Sequence, residues 1–284
     1  MRSRLSFVSL FLLVLIVSFD AFAGGSLWTT PKGFYLAPEV YNKTLYGPST
    51  SGSTWHITQW ESPSTNMPPF HGSTSLGTSE SVTVSRTQYN IKQATQNPPL
   101  ACGAEFDAFA EVNVPSTYPG YPSAGPSASP NLLTMNTLTL HIVLTQNKIT
   151  VLDHACQITQ TSQMVALVLH NTVNGQTFFY QLELGGYYNR NGLPKQFWWS
   201  TAAPTFGYTE NVVPAYHVAQ ASPGSMSKYS VNFLPNILNI ITEGPDSMDR
   251  DTSHWVISST YHGNAVWGHM NVSTTWSGFS LVWK

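Results

Sequence analysis

The chain has 284 residues, of which 42% are hydrophobic and only 9% charged, a balance that excludes a disordered chain and leaves Ser, Thr, Asn, Gln and Gly to face solvent. Its 12 basic and 14 acidic residues form no Lys or Arg stripe, so nucleic acid is excluded as a partner.

Arg2 and Arg4 precede an apolar run from Leu5 to Phe19, and Ala21-Phe22-Ala23 stands before Gly24. Charged, apolar and small residues in that order predict a secretory signal over residues 1–23, cleaved after Ala23. An uncleaved anchor is the alternative, but an apolar run of about 15 residues is short of the roughly 20 that a bilayer span needs. The expectation is a secreted protein, extracellular or periplasmic, without membrane contact after cleavage, in which residues 24–284 form a single domain.

Short β-type runs separated by Gly, Pro, Asn and Ser clusters follow one another along the whole chain without heptads or a fixed repeat. Strands are predicted over Trp55–Trp60, Ser81–Arg86, Ala104–Val112, Thr137–Thr145, Ile149–His154, Met164–Asn171, Gln176–Leu184, Gln196–Ser200, Tyr229–Phe233, His254–Tyr261, Ala265–Val272 and Phe279–Trp283. The fold class is all-β, an antiparallel β-sandwich with at most one short helix. Asn174-Gly175 between two β-rich runs predicts a hairpin with a type I′ turn. A second turn is expected at Tyr261-His262-Gly263-Asn264. The helix is predicted where Leu234, Ile237, Leu238 and Ile241 recur at helical spacing before Gly244-Pro245. Residues 115–131, rich in Pro and Ser, read as a long surface loop that borders a cleft rather than as a linker.

Cys102 and Cys156 are the only cysteines. In an oxidising compartment a lone pair bridges, closing a loop of about 55 residues and contributing about 3–4 kcal/mol through the unfolded ensemble. Two unpaired buried thiols are the alternative.

Glu105, Asp107 and Glu111 alternate along one strand with Phe109, so three carboxylates and a ring share a face. Like charges that close repel unless they are solvated, metal-bound or used in catalysis. The plain alternative is an exposed strand face. Glu105-Phe106-Asp107 resembles the Glu-Phe-Asp metal-ligand run of legume-type lectins, and Glu105-x-Asp107 with Glu111 resembles laminarinase and lichenase-type glycoside hydrolases. Both are concanavalin A-like jelly rolls. The hydrolase resemblance implies a nucleophilic first Glu, an orienting Asp and an acid/base last Glu. Three residues separate Asp107 from Glu111 where the hydrolase motif has one or two, and the lectins' downstream Asp and His are missing, so the three acids stand as a candidate cleft.

Among 36 aromatic residues, Tyr187-Tyr188 and Trp198-Trp199 are candidate sugar-stacking rings, and on a strand one Trp of the second pair faces the core and the other faces outward. His254, His262 and His269 lie near Asp249 and Asp251, yet no compact ligand spacing occurs, so no metal is expected. No cofactor is expected either. Asp153 and His154 are neighbours on opposite strand faces, which disfavours a dyad. The resemblance implies a carbohydrate-active protein whose partner is a polysaccharide or other glycan, a hydrolase using a carboxylate acid/base pair in one reading and a non-catalytic lectin-like or adhesion module in the other. A third reading, a secreted acid peptidase of the glutamic type, casts Gln176 or Gln181 with Glu183.

Overall fold

A computed structural model describes residues 25–29, 43–45, 56–60, 75–76, 80–85, 88–94, 102, 105–113, 131–153, 155–156, 158–188, 196–211 and 225–284. The expected leader, His154, and residues 115–130 of the Pro/Ser-rich segment lie outside the described residues, as do the side chains of Glu111 and Tyr188.

The strands are β1 (Gly25–Thr29), β2 (Lys43–Leu45), β3 (His56–Trp60), β4 (Ser75–Leu76), β5 (Glu80–Ser85), β6 (Gln88–Ala94), β7 (Glu105–Asn113), β8 (Leu138–Val151), β9 (Gln160–Asn171), β10 (Thr177–Tyr188), β11 (Gln196–Ala202), β12 (Thr205–Asn211), β13 (Ser225–Asn232), β14 (Trp255–Trp267) and β15 (Met270–Trp283), with α1 (Leu234–Thr242) between β13 and β14. They form two sheets, one ordered β13-β8-β15-β6-β5-β4 with β1 also on β15, the other β11-β12-β10-β9-β14-β7-β3-β2. All pairings are antiparallel except β10 with β12. The result is the expected two-sheet β-sandwich of jelly-roll character, with one helix.

Alternation decides which residues fill the space between the sheets. From β8 come Leu138, Leu140, Ile142 and Leu144, from β9 Val165, Leu167 and Leu169, and from β10 Phe178, Tyr180, Leu182 and Leu184. Helix α1 adds Leu234, Ile237 and Ile241 to the same core, as its periodicity predicts. The outward positions of β8 stay partly or fully exposed, whereas β9 is buried on both faces along nearly its whole length. Only the eight-stranded sheet is therefore covered on its outer side at its centre.

A polar seam runs through the core. Gln146 donates to Gln163 across the sheets at 2.7 Å, Thr274 donates to Asn264 at 2.8 Å, and the Trp276 indole donates to Thr274 at 2.9 Å. His262 lies fully buried beside these groups, stacked on Phe279 at 4.6 Å. Burial alone pushes its pKa down to about 3, so the ring is neutral.

Several sequence expectations need correction. No turn forms at Tyr261–Asn264: β14 runs unbroken from Trp255 to Trp267 and the chain reverses at Gly268, whose φ of 78° is open to glycine. A β-carbon there would come within 2.4 Å of the Ile158 carbonyl. The two strands predicted on either side of Gln146–Lys148 are one, β8, with the interruption absorbed as a register shift against β15. Strand β12 was hidden by its Gly-Tyr-Thr composition. The Asn174-Gly175 hairpin is present, but Asn171 pairs with Gln176 around a four-residue loop, Thr172–Gly175, in place of a two-residue type I′ turn. Strand β3 pairs with β7, which separates it from β14.

Candidate functional site on the outer face of the eight-stranded sheet

Strand β14 shows how this face is built. Its even residues Thr260, His262 and Asn264 point into the sandwich, so Tyr261, Gly263, Ala265 and Trp267 point out. The register sets Glu105 opposite Trp267, Asp107 opposite Ala265, Phe109 opposite Gly263 and Glu111 opposite Tyr261. Glu105 and Asp107 thus occupy the outer side of β7, as their spacing requires. Asp107 is only 5% exposed and Glu105 is partly buried, so at these two positions the face is withdrawn from solvent. Phe109, Met164, Ala166, Val168, Tyr261 and Ala265 pack into an apolar cluster on this side, Phe109 and Tyr261 with ring centres 5.0 Å apart.

A further carboxyl shares the face. Glu183 on β10 stands opposite Met164 of β9 and Asn211 of β12, and is 2% exposed. Burial pushes its pKa up to about 8, with the nearby Ser162 hydroxyl acting weakly the other way. At neutral pH it carries its proton. Following the register from Glu183 through Met164 and Gly263 leads to Phe109, one pleat from Asp107. Three interstrand steps, about 14 Å, separate the strands of the two acids. The residues between them in Asp107's row, Ala265 and Ser162, are short, as is Gly263 in Glu183's row.

Beside Glu183, the Thr209 hydroxyl donates to Gln181 Oε1 and Gln181 Nε2 donates to the Tyr261 hydroxyl, both at 2.8 Å. This chain fixes the Gln181 amide. Gln176 lies about 23 Å from Glu183 along the strand, where its side chain donates to the Ser247 carbonyl and accepts from the Asp249 N–H. Neither glutamine is left to pair with Glu183 in the manner of a glutamic peptidase.

The aromatic candidates divide. A bulge between Trp198 and Ser200 breaks the alternation of β11. Trp198 turns inward against Tyr208 and Phe178 at 5.0 and 5.8 Å. Trp199 turns outward, 48% exposed, with Phe179 at 6.0 Å beneath its edge. Tyr187 is interior, packed with Ile149, Val266, Met270 and Val272.

The expected disulfide is present, joining Cys102 to Cys156 with α-carbons 5.2 Å apart. It ties the segment leading into β7 to the β8–β9 connection, where Asp153 faces His269 at 3.3 Å. Among the described residues, the one group of three metal-ligating side chains within reach of a single ion is Cys102, Asp153 and Cys156, two of which are consumed by the disulfide. The histidines scatter: His262 is in the core, His269 is at Asp153, and His254 stands between Asp249 and Asp251 at 2.8 and 3.5 Å.

No protein-family model and no curated protein sequence matches the chain. Solved structures do resemble it. A family 11 xylanase from Neocallimastix patriciarum is 9% identical with a TM-score of 0.47, covering 91% of this chain and all of its own. The endo-1,4-beta-glucanase CelB2, a cellulase, is 12% identical with a TM-score of 0.46 over 90% of this chain and 99% of its own. A family 12 xyloglucanase from Bacillus licheniformis is 10% identical with a TM-score of 0.43 over 92% and 100%.

Proposed function

We propose that the protein is a secreted, single-domain, carbohydrate-active β-sandwich that binds polysaccharide along the outer face of the eight-stranded sheet and hydrolyses it there with a pair of carboxyl groups. The observation that carries this reading is the joint presence, on one sheet face, of a half-exposed Trp199 and of acids withdrawn from water, Asp107 above all. A flat ring stacks on the apolar face of a sugar, and neighbouring amides and carboxylates hydrogen-bond its hydroxyls. Two carboxyls with different protonation states can protonate the leaving oxygen and activate water. In this reading Asp107 is one member of the pair, and Glu105 and Glu111 flank it on β7.

Incubation of the mature chain with β-glucans, xylan and alginate tests it, with reducing-end release and gel retardation followed together. Release is the expected result. Retardation without release supports the lectin-like alternative, and neither response overturns both.

A further inference from the structure

We propose that reduction of the Cys102–Cys156 disulfide opens a tetrahedral zinc site formed by the two cysteine sulfurs, Asp153 and His269, so that one place in the fold is closed either by a covalent bond or by a metal ion. None of these four residues is used in the polysaccharide reading above.

Three separate stretches of chain supply the ligands: Cys102 ahead of β7, Asp153 and Cys156 in the β8–β9 connection, and His269 in the turn from β14 to β15. The Leu152 N–H donates to the His269 carbonyl at 2.9 Å, which holds the second stretch against the third. Asp153 Oδ1 accepts from the Ala155 N–H at 2.8 Å. Oδ2 is thereby directed at the Cys156 sulfur, 3.8 Å away, and at His269 Nδ1, 3.3 Å away. Ligand atoms of Cys102, Asp153 and Cys156 all lie within 4.8 Å of one another. In a zinc tetrahedron with oxygen and nitrogen at about 2.0 Å and sulfur at about 2.3 Å, an oxygen–nitrogen edge is about 3.3 Å and an oxygen–sulfur edge about 3.5 Å. The two edges that Oδ2 makes are therefore nearly formed while the disulfide is intact, and reduction frees the sulfurs to move apart around an ion. Two thiolates with an imidazole and one carboxylate suit zinc, whereas calcium and magnesium require oxygen ligands.

Cys102 is exposed and Cys156 buried, so a reductant meets the Cys102 sulfur first. The step balances with a dithiol as reductant. One of its thiolates attacks the Cys102 sulfur, and the sulfur–sulfur bond breaks with its electron pair on Cys156. The second thiolate then displaces Cys102 as the reductant closes into its own disulfide, so two electrons and two protons pass to the cysteines. Zinc binds both as thiolates, and their protons go to solvent. The ion then restores the tie between the segment leading into β7 and the β8–β9 connection.

The test reduces the chain anaerobically with a phosphine, removes the reductant, and titrates with Co2+ and then Zn2+ in wild type, Asp153→Asn and His269→Ala, with the oxidised proteins as controls. Reduced wild type should take up one Co2+ per chain with thiolate-to-metal charge-transfer absorption and the strong visible bands of tetrahedral cobalt. Zinc should displace the cobalt and raise the melting temperature of the reduced chain, and oxidised wild type should show neither response. Asp153→Asn and His269→Ala, each with its disulfide intact and melting like wild type before reduction, should bind zinc at least about 10-fold more weakly once reduced. No uptake by the reduced chain, including a reduced chain that stays unfolded with zinc present, overturns the site. Uptake that either substitution leaves unchanged overturns it as well, because the thiols of an unfolded chain need neither Asp153 nor His269.

Discussion

Trp199 lies flat on Gly207: a β-carbon on that glycine would come within 2.1–2.4 Å of three atoms of the indole ring. The glycine allows the ring to rest on the sheet backbone while its other side is open to solvent. Gly207→Ala should push the ring off, costing about 1–3 kcal/mol through overpacking and weakening glycan retention. Tryptophan fluorescence and gel retardation on the same variant check both parts, and unchanged emission with unchanged retention would contradict the account.

Glu183 and His262 set opposite limits on stability. For Glu183 the folded pKa, about 8, exceeds the unfolded value of about 4.3. Its contribution is complete below the unfolded value and falls away as pH rises to about 8, by on the order of a few kcal/mol. For His262 the folded pKa, about 3, lies below the unfolded value of about 6.5, so its contribution is present above the unfolded value and lost as pH falls toward 3. Urea midpoints across pH 3–9 should therefore form a plateau from about pH 4.3 to 6.5. Glu183→Gln should remove the alkaline fall and His262→Phe the acid one.

The loop before β14 clasps the β9–β10 hairpin. Asp249 Oδ2 accepts from Asn171 Nδ2 at 2.9 Å and contacts His254 Nδ1 at 2.8 Å, and the Trp255 indole donates to the Asp249 carbonyl. The hydrogen bond with Asp249 raises the His254 pKa, and the same bond lowers that of Asp249. The histidine's contribution is full below its unfolded value of about 6.5 and lost as pH rises through its raised folded value. Amide exchange at Val173–Gly175 should quicken in His254→Ala, more at pH 6 than at pH 9. An equal effect at both would contradict this clasp.

Reducing the Cys102–Cys156 bond should cost about 3–4 kcal/mol through the loop of 54 residues it closes. Because the bond anchors the chain just before β7, exchange should rise first at Glu105–Asp107. A Cys102→Ser variant with native melting temperature and unchanged β7 exchange would show that the strand pairings with β3 and β14 hold it alone.

The acidic face of β7 was legible because period-two spacing fixes which side a residue takes. The outward Trp199 and inward Trp198 followed from the same rule, although a bulge decides which is which. The Gly263-Asn264 pair misled because turn chemistry is local. Here Asn264 is buried, accepting from Thr274, and Gly263 lies in the register between Met164 and Phe109. Glu183 was legible as an acid but not as sharing a sheet face with Asp107. It sits between Leu182 and Leu184 like any polar position of a half-buried strand, and only the sheet order β10-β9-β14-β7 puts the two on one sheet.

The most direct test of the polysaccharide site measures turnover and affinity-gel retardation in Asp107→Asn and Trp199→Ala on the glycan that wild type cleaves. The account predicts that Asp107→Asn loses at least about 100-fold in turnover with retardation intact, and that Trp199→Ala loses retardation while hydrolysis of a small chromogenic glycoside persists. Unchanged turnover in Asp107→Asn together with unchanged retardation in Trp199→Ala would contradict it.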